Sequence, residues 1–184
     1  QKVGYQTAIT GKWHLKSDPT GFDFWQVLIG QGPYYNPPMK SAKGTEKITG
    51  YTTEIVTDLA LDWLKNGRDK DKPFMLMCQH KAPHRNWQPA PRHLDKYKDV
   101  TLPEPETLFD DYTGRAKPAA ETQMSVANHL TPADLKLVPP GGQSPAQQEA
   151  FMKAYAEENK KFEEAKLEGK ARTQWNYQRF VKDY

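Results

Sequence analysis

Residues 6–16 read QTAITGKWHLK, a short run with β-branched residues that ends at Gly11 and is followed by Lys12 and His14, two positions apart. Thr7, Ile9 and Thr10 favour extended backbone, and the glycine marks the point where a strand gives way to a loop. Residues 73–79, PFMLMCQ, repeat the theme as a continuous apolar run of the kind carried by a strand buried on both faces. His80, Lys81, His84 and Arg85 follow it directly in QHKAPHRNW (79–87). Between the two strands, Ile55, Val56, Leu59, Ala60, Trp63 and Leu64 recur at helical spacing. Thr52 or Thr53 serves as cap, Glu54 lies in the first turn and Gly67 is the stop. Strand, helix, strand, with a loop after each strand, predicts an α/β fold whose mostly parallel central sheet is flanked by helices.

The rest of the chain is organised around this unit. Residues 17–39 are rich in Gly, Pro and aromatics and predict an ordered irregular segment, with a short helix or strand near 24–29. Residues 85–143 are proline-rich and loop-like, with short helices expected at 91–97 and 131–135. Ser144, Pro145 and Gln147 supply a cap, a first-turn proline and a capping-box partner for a charged helix running to about Lys166. Gly169 breaks that helix. In the last segment Trp175, Tyr177, Phe180, Val181 and Tyr184 fall roughly on one helical face. There is no internal repeat. The chain opens on Gln1 rather than Met, and no stop signal closes its final helix, so both ends read as cuts through a larger domain and residues 1–184 as one partial domain.

Composition narrows the function. Only 36% of the 184 residues are hydrophobic, but five Trp, nine Tyr and seven Phe supply apolar surface that disordered chains lack. The net charge of +3 comes from interleaved acids and bases, which argues against a nucleic-acid partner. No apolar run approaches the roughly twenty residues of a membrane span, and no leader stands at the start.

In open α/β sheets ligands bind beyond the carboxyl ends of the strands, so the loops after 6–11 and 73–79 are expected to meet at one cationic, imidazole-rich pocket. Such a pocket suits a substrate with negative oxygens, because lysine neutralises developing charge and histidine moves protons near neutral pH. Plainer readings stand beside this one. Lys12, Trp13 and His14 also fit a solvated turn anchored by Trp13, and Lys81 and Arg85 fit ordinary surface charges. His80 and His84 have the spacing of a helical zinc pair, which Pro83 and the missing glutamate oppose. His80, His93 and His129 fit structural histidines. Arg85 and Trp87 either line a sugar subsite or pack the fold. Cys78 reads as core packing, and Asp110 and Asp111 as solvated or capping acids.

GYQTAITGKWHLKSDPTGFDFW (4–25) resembles the sulfatase family's series of G-Y-x-T, G-K-W-H-L-G and G-F-D, with Lys16 where the family pattern carries glycine. KPFMLMCQHKAPHRNWQPAPRHLDKY (72–97) resembles that family's later strand and Pro-His loop, and ITGYTTEIVTDLALDWL (48–64) and LFDDYTGR (108–115) are similar to its polysaccharide and glycosaminoglycan members. The resemblance implies an alkaline-phosphatase-like α/β fold and hydrolysis of sulfate esters, here on sulfated carbohydrates. It also implies a formylglycine made from cysteine or serine by a maturation enzyme, a calcium ion, and export to periplasm, cell exterior or lysosome. On the matching positions, Lys12 would bridge sulfate and formylglycine, and His14 would hold the formylglycine hydroxyl and take its proton. His84 would face the leaving oxygen. Lys81, Arg85 and Trp87 are candidate substrate contacts by their place beside His84, not by the resemblance. The family's aspartate pairs and its Cys-x-Pro-Ser-Arg signature have no counterpart here, so no metal ligand is assigned in this chain. The 184 residues alone are therefore expected to be inactive and poorly stable. Two alternatives remain: a phosphate- or phosphonate-ester hydrolase of the same superfamily, and a non-catalytic binder of sulfated glycans.

Overall fold

In the computed structural model, which describes residues 1–184, the opening stretch forms β1 (Gln6–Lys12). It is followed by β2 (Phe24–Leu28), β3 (Pro38–Ser41), β4 (Gly44–Lys47), helix α1 (Thr52–Asp62) and β5 (Phe74–Gln79). These belong to the first of two units, residues 1–84 with 141–143. The sheet order is β4-β3-β2-β1-β5, with β1 parallel to both β2 and β5, and with β3 and β4 added as an antiparallel hairpin. The expected α/β class holds, and the segment at 24–29 resolves as a strand. The hairpin is an addition that its short, charged strands did not announce; Ala42 and Lys43 make its turn, and Gly44, at φ +119°, opens β4 directly after it.

Ala8, Ile9 and Thr10 on β1 are fully buried, and Val56 of α1 packs with Leu28 and Met39, with Ile55, Leu59 and Ile48 around them. The predicted face of α1 is the packed one, and Trp63 is buried just beyond its end. Its start differs from expectation. Tyr51, not a threonine, is the N-cap, and Thr52 is buried with its hydroxyl donating to the Pro33 carbonyl at 2.7 Å. The threonine has a better acceptor in the preceding loop than in its own helix.

β5 departs more sharply. Phe74 and Met75 are 41% and 40% exposed, and Cys78 is exposed as well, so the strand is not buried on both faces and the thiol does not pack a core. The cause is position: β5 is the outermost strand, with β1 as its single neighbour. Composition reported an apolar strand but not how many faces the fold covers.

The second unit comprises residues 85–140 with 144–184. It holds the short helix α2 (Lys117–Ala120), α3 (Pro145–Ala165) and α4 (Gly169–Asp183), together with single 3-10 turns at Pro91–His93 and Glu106–Phe109. The expected helix at 131–135 is a run of turns. The capping box of α3 forms in both directions: Ser144 Oγ accepts from the Gln147 amide at 3.3 Å and Gln147 Oε1 accepts from the Ser144 amide at 2.8 Å. α3 ends in a left-handed Lys166, and Gly169 opens α4 rather than closing α3.

α4 buries Thr173, Asn176 and Arg179, while its aromatics are only partly covered. The interior it faces is polar. Lys136, fully buried, lies 3.1 Å from Asp183, whose other oxygen accepts from the Tyr155 hydroxyl at 2.8 Å. Arg179 pairs with Glu158 at 2.9 Å, donates to Asn159 and sits over the Tyr155 ring. Apolar contacts flank this network, with Phe162 stacked on Trp175 at 3.9 Å between α3 and α4.

Candidate functional site

The two cationic loops leave the same end of two neighbouring parallel strands. Gly11 pairs with Gln79 across β1 and β5, so Lys12 and the residues after Gln79 emerge side by side. Gly11 makes this approach possible: at φ +95°, a Cβ there would lie 1.9 Å from the Gln79 carbonyl oxygen and 2.9 Å from Val56. Only glycine fits where the two strands deliver their loops.

Lys81 is 7% exposed, with Nζ 4.9 Å from the centre of the Tyr34 ring, and it has no hydrogen bond or ion pair. Burial first, and the charge of Lys12 second, hold its ammonium below the usual lysine range. Lys12 donates to Gln31 Oε1 at 2.5 Å and has no carboxylate partner. Two lysines therefore share one small region with no counter-charge beside either. A buried cation ordinarily has an anion within reach, so the arrangement is suited to receiving one.

His84 stands at the far end of a tight turn in which its amide donates to the Lys81 carbonyl at 3.0 Å. Its own carbonyl accepts from the Tyr34 hydroxyl. Tyr34 is 3% exposed, stacks on Tyr51 and has its carbonyl held by the Thr52 amide at 2.9 Å. His14 is exposed, adopts a left-handed φ of 54° and makes no hydrogen bond or ion pair. Its turn is indeed pinned by Trp13, whose Nε1 donates to the Ser17 carbonyl at 2.7 Å and whose ring meets Phe22 edge-on. Lys12 and Lys81 are thus brought together, and His84 is joined to Lys81 through Tyr34. Tyr34 and Gln31 were missed from the sequence; the signal for Tyr34 was an aromatic pair enclosed by proline and glycine in GPYYNPP (32–38).

Arg85 and Trp87 have partners of their own in the second unit. The Arg85 guanidinium grips both oxygens of Asp134 and donates to the His129 carbonyl at 2.8 Å. Asp134 also accepts from Asn86 and from the amide and hydroxyl of Thr131. Burial pushes its carboxyl up, but Arg85 and these donors outweigh that and bring it down to about 2. Trp87 packs on Phe180, ring centres 4.6 Å apart. Asp110 pairs with Arg115 at 2.6 Å and, like Asp111, accepts a backbone amide two residues on, the capping arrangement anticipated for both. No three or more of the chain's His, Cys, Asp and Glu residues gather where a metal ion would sit. The residues present do not form a calcium cage, and the exposed Cys78 lies outside any formylglycine signature.

Comparison with known proteins gives the family of the chain. The sulfatase family model matches residues 1–165. An N-acetylglucosamine-6-O-sulfatase of Bacteroides thetaiotaomicron is 43% identical, the match covering all of this chain and 36% of that protein. The human N-acetylglucosamine-6-sulfatase is 29% identical over 115 residues, covering 54% of this chain and 21% of its own length. A solved structure in complex with its substrate D-glucosamine-2-N,6-O-disulfate superposes with a TM-score of 0.92 at 42% identity, over all of this chain and 41% of the other. The chain thus spans well under half the length of the proteins it matches.

Proposed function

Because the chain belongs to the sulfatase family, we propose that the complete protein hydrolyses a sulfate ester on a glucosamine-type sugar, with the 6-O-sulfate as the group removed. The carrying observation is Lys81, buried beside Lys12 with no counter-anion at the carboxyl ends of β1 and β5. The names of the similar proteins support the sugar.

In this reading Lys12 and Lys81 bind the sulfate oxygens and offset the charge that grows on them as the S–O bond to the sugar breaks. His84 delivers a proton to the departing sugar oxygen, and His14 carries the proton released on the nucleophile's side. The net reaction adds water across the ester, giving the sugar alcohol, sulfate and a proton. The nucleophile and the calcium ligands belong to parts of the protein outside this chain, and a maturation enzyme makes the formylglycine there. The two units are parts of one catalytic domain, in a protein exported to periplasm, cell exterior or lysosome; no helix in this chain is long and apolar enough to cross a membrane. Arg85 and Trp87, with interior partners, are assigned to holding the second unit rather than to the sugar.

The test is sulfate release, followed by ion chromatography, from N-acetylglucosamine-6-sulfate by the full-length protein co-expressed with a formylglycine-generating enzyme. Turnover that falls at least about 100-fold in Lys12→Ala is expected. Faster release of phosphate or phosphonate from matched esters, or tight sugar binding without turnover, would replace this reading with one of its two rivals.

A further inference from the structure

Tyr34 makes two separate contacts with the loop that follows β5. Its side chain is almost wholly buried, its ring faces the Lys81 ammonium and its hydroxyl donates to the backbone carbonyl of His84. The tyrosine thus spans the turn Lys81–His84, gripping its first and last residues through two chemically separate contacts. Its own position is fixed from behind by the stack on Tyr51, the Thr52 amide on its carbonyl and the Thr52 hydroxyl on the carbonyl of Pro33. Burial obliges the Tyr34 hydroxyl to find an acceptor, and the one it reaches lies on a loop 50 residues away, the same loop whose anion-free lysine sits over its ring.

We propose that Tyr34 is a positioning residue of the sulfate site: its ring holds the Lys81 ammonium toward the substrate oxyanion, and its hydroxyl fixes the His84 turn at the distance proton delivery requires. The proposal rests on the sulfate-ester reading above. The ring contact is a cation–π interaction, which keeps Lys81 charged and aimed without a carboxylate that would compete with sulfate for it. An acidic side chain in place of Tyr34 would neutralise the site. The hydroxyl acts on the backbone, so it orients His84 without taking the place of any imidazole nitrogen.

Two variants of the full-length protein separate the contacts. Tyr34→Phe keeps the ring and deletes the hydroxyl, so kcat for sulfate release should fall about tenfold with KM within about twofold. Tyr34→Leu deletes both, so KM should rise as well. A second readout needs no turnover. With ¹³C-labelled lysine, the Lys81 ε-methylene should be displaced upfield by the ring in wild type and Tyr34→Phe, and should return to the position of an ordinary lysine in Tyr34→Leu; Lys81→Arg assigns the signal. A Tyr34→Phe enzyme with unchanged kcat overturns the proposal, as does a Lys81 signal indifferent to Tyr34→Leu. If wild type releases no sulfate at all, the sulfatase reading fails instead, and the lysine spectrum alone decides whether Tyr34 braces Lys81.

Discussion

At the residue scale the decisive group is Lys81. Its ammonium is held below the usual lysine range by burial and by Lys12, so between its folded and unfolded values the unfolded chain binds the extra proton, and folding stability rises with pH across that interval. Neutralising it should therefore help the fold and hurt the function. Lys81→Met is expected to raise stability by roughly 1 kcal/mol, read by urea denaturation at neutral pH, while weakening binding of the sulfated sugar about tenfold or more in calorimetry. Loss of stability together with unchanged binding would mark Lys81 as an ordinary structural lysine. Gly11 gives the converse case. A methyl group there collides with the Gln79 carbonyl, so Gly11→Ala should destabilise by more than about 3 kcal/mol, seen as loss of soluble protein. Lys12, His14 and His84 stood out in the sequence because they lie in motifs that resemble the sulfatase family, in residue types that suit an oxyanion. Tyr34 did not, because nothing local in GPYYNPP says that a hydroxyl will reach a carbonyl 50 positions on.

At the element scale, local rules were legible and coverage was not. The capping box of α3 was readable because it lies within four residues, and Ser144→Ala should cost about 1 kcal/mol, measured as a lower midpoint of helix unfolding. The strand character of PFMLMCQ was equally plain, yet the number of neighbours β5 would have depends on the whole sheet. Its exposed edge and apolar side chains predict association between copies of the 184-residue chain. Met75→Lys should raise the concentration at which the 184-residue chain stays monomeric, by light scattering, with stability changed by less than about 1 kcal/mol. α4 shows the same limit from the other side. Its aromatic spacing suggested an apolar stripe, but its most buried face carries Thr173, Asn176 and Arg179, because Lys136 and Glu158 arrive from elsewhere to meet its own Asp183 and Arg179.

At the scale of the molecule, the second unit depends on buried charge, with Asp134 as the acceptor for Arg85, Asn86 and Thr131. Asp134→Ala removes that shared acceptor while the half-exposed Arg85 can turn to water, so the expected cost is roughly 1–3 kcal/mol. Since the Asp134 carboxyl titrates near 2, its contribution is complete above the ordinary aspartate range and is lost as pH falls from about 4 toward 2, which thermal melts across that window would record. Under the proposed function this chain supplies the cations of the sulfate site and no metal cage, and the purified 184 residues should release no sulfate from any ester. The central claim, that Lys12 and Lys81 together hold the sulfate, is tested most directly by a crystal structure of the full-length protein with N-acetylglucosamine-6-sulfate bound. Both ammonium groups within about 3 Å of sulfate oxygens is the predicted result. A sulfate seated elsewhere, with Lys81 still against Tyr34 and no anion near it, would contradict the account.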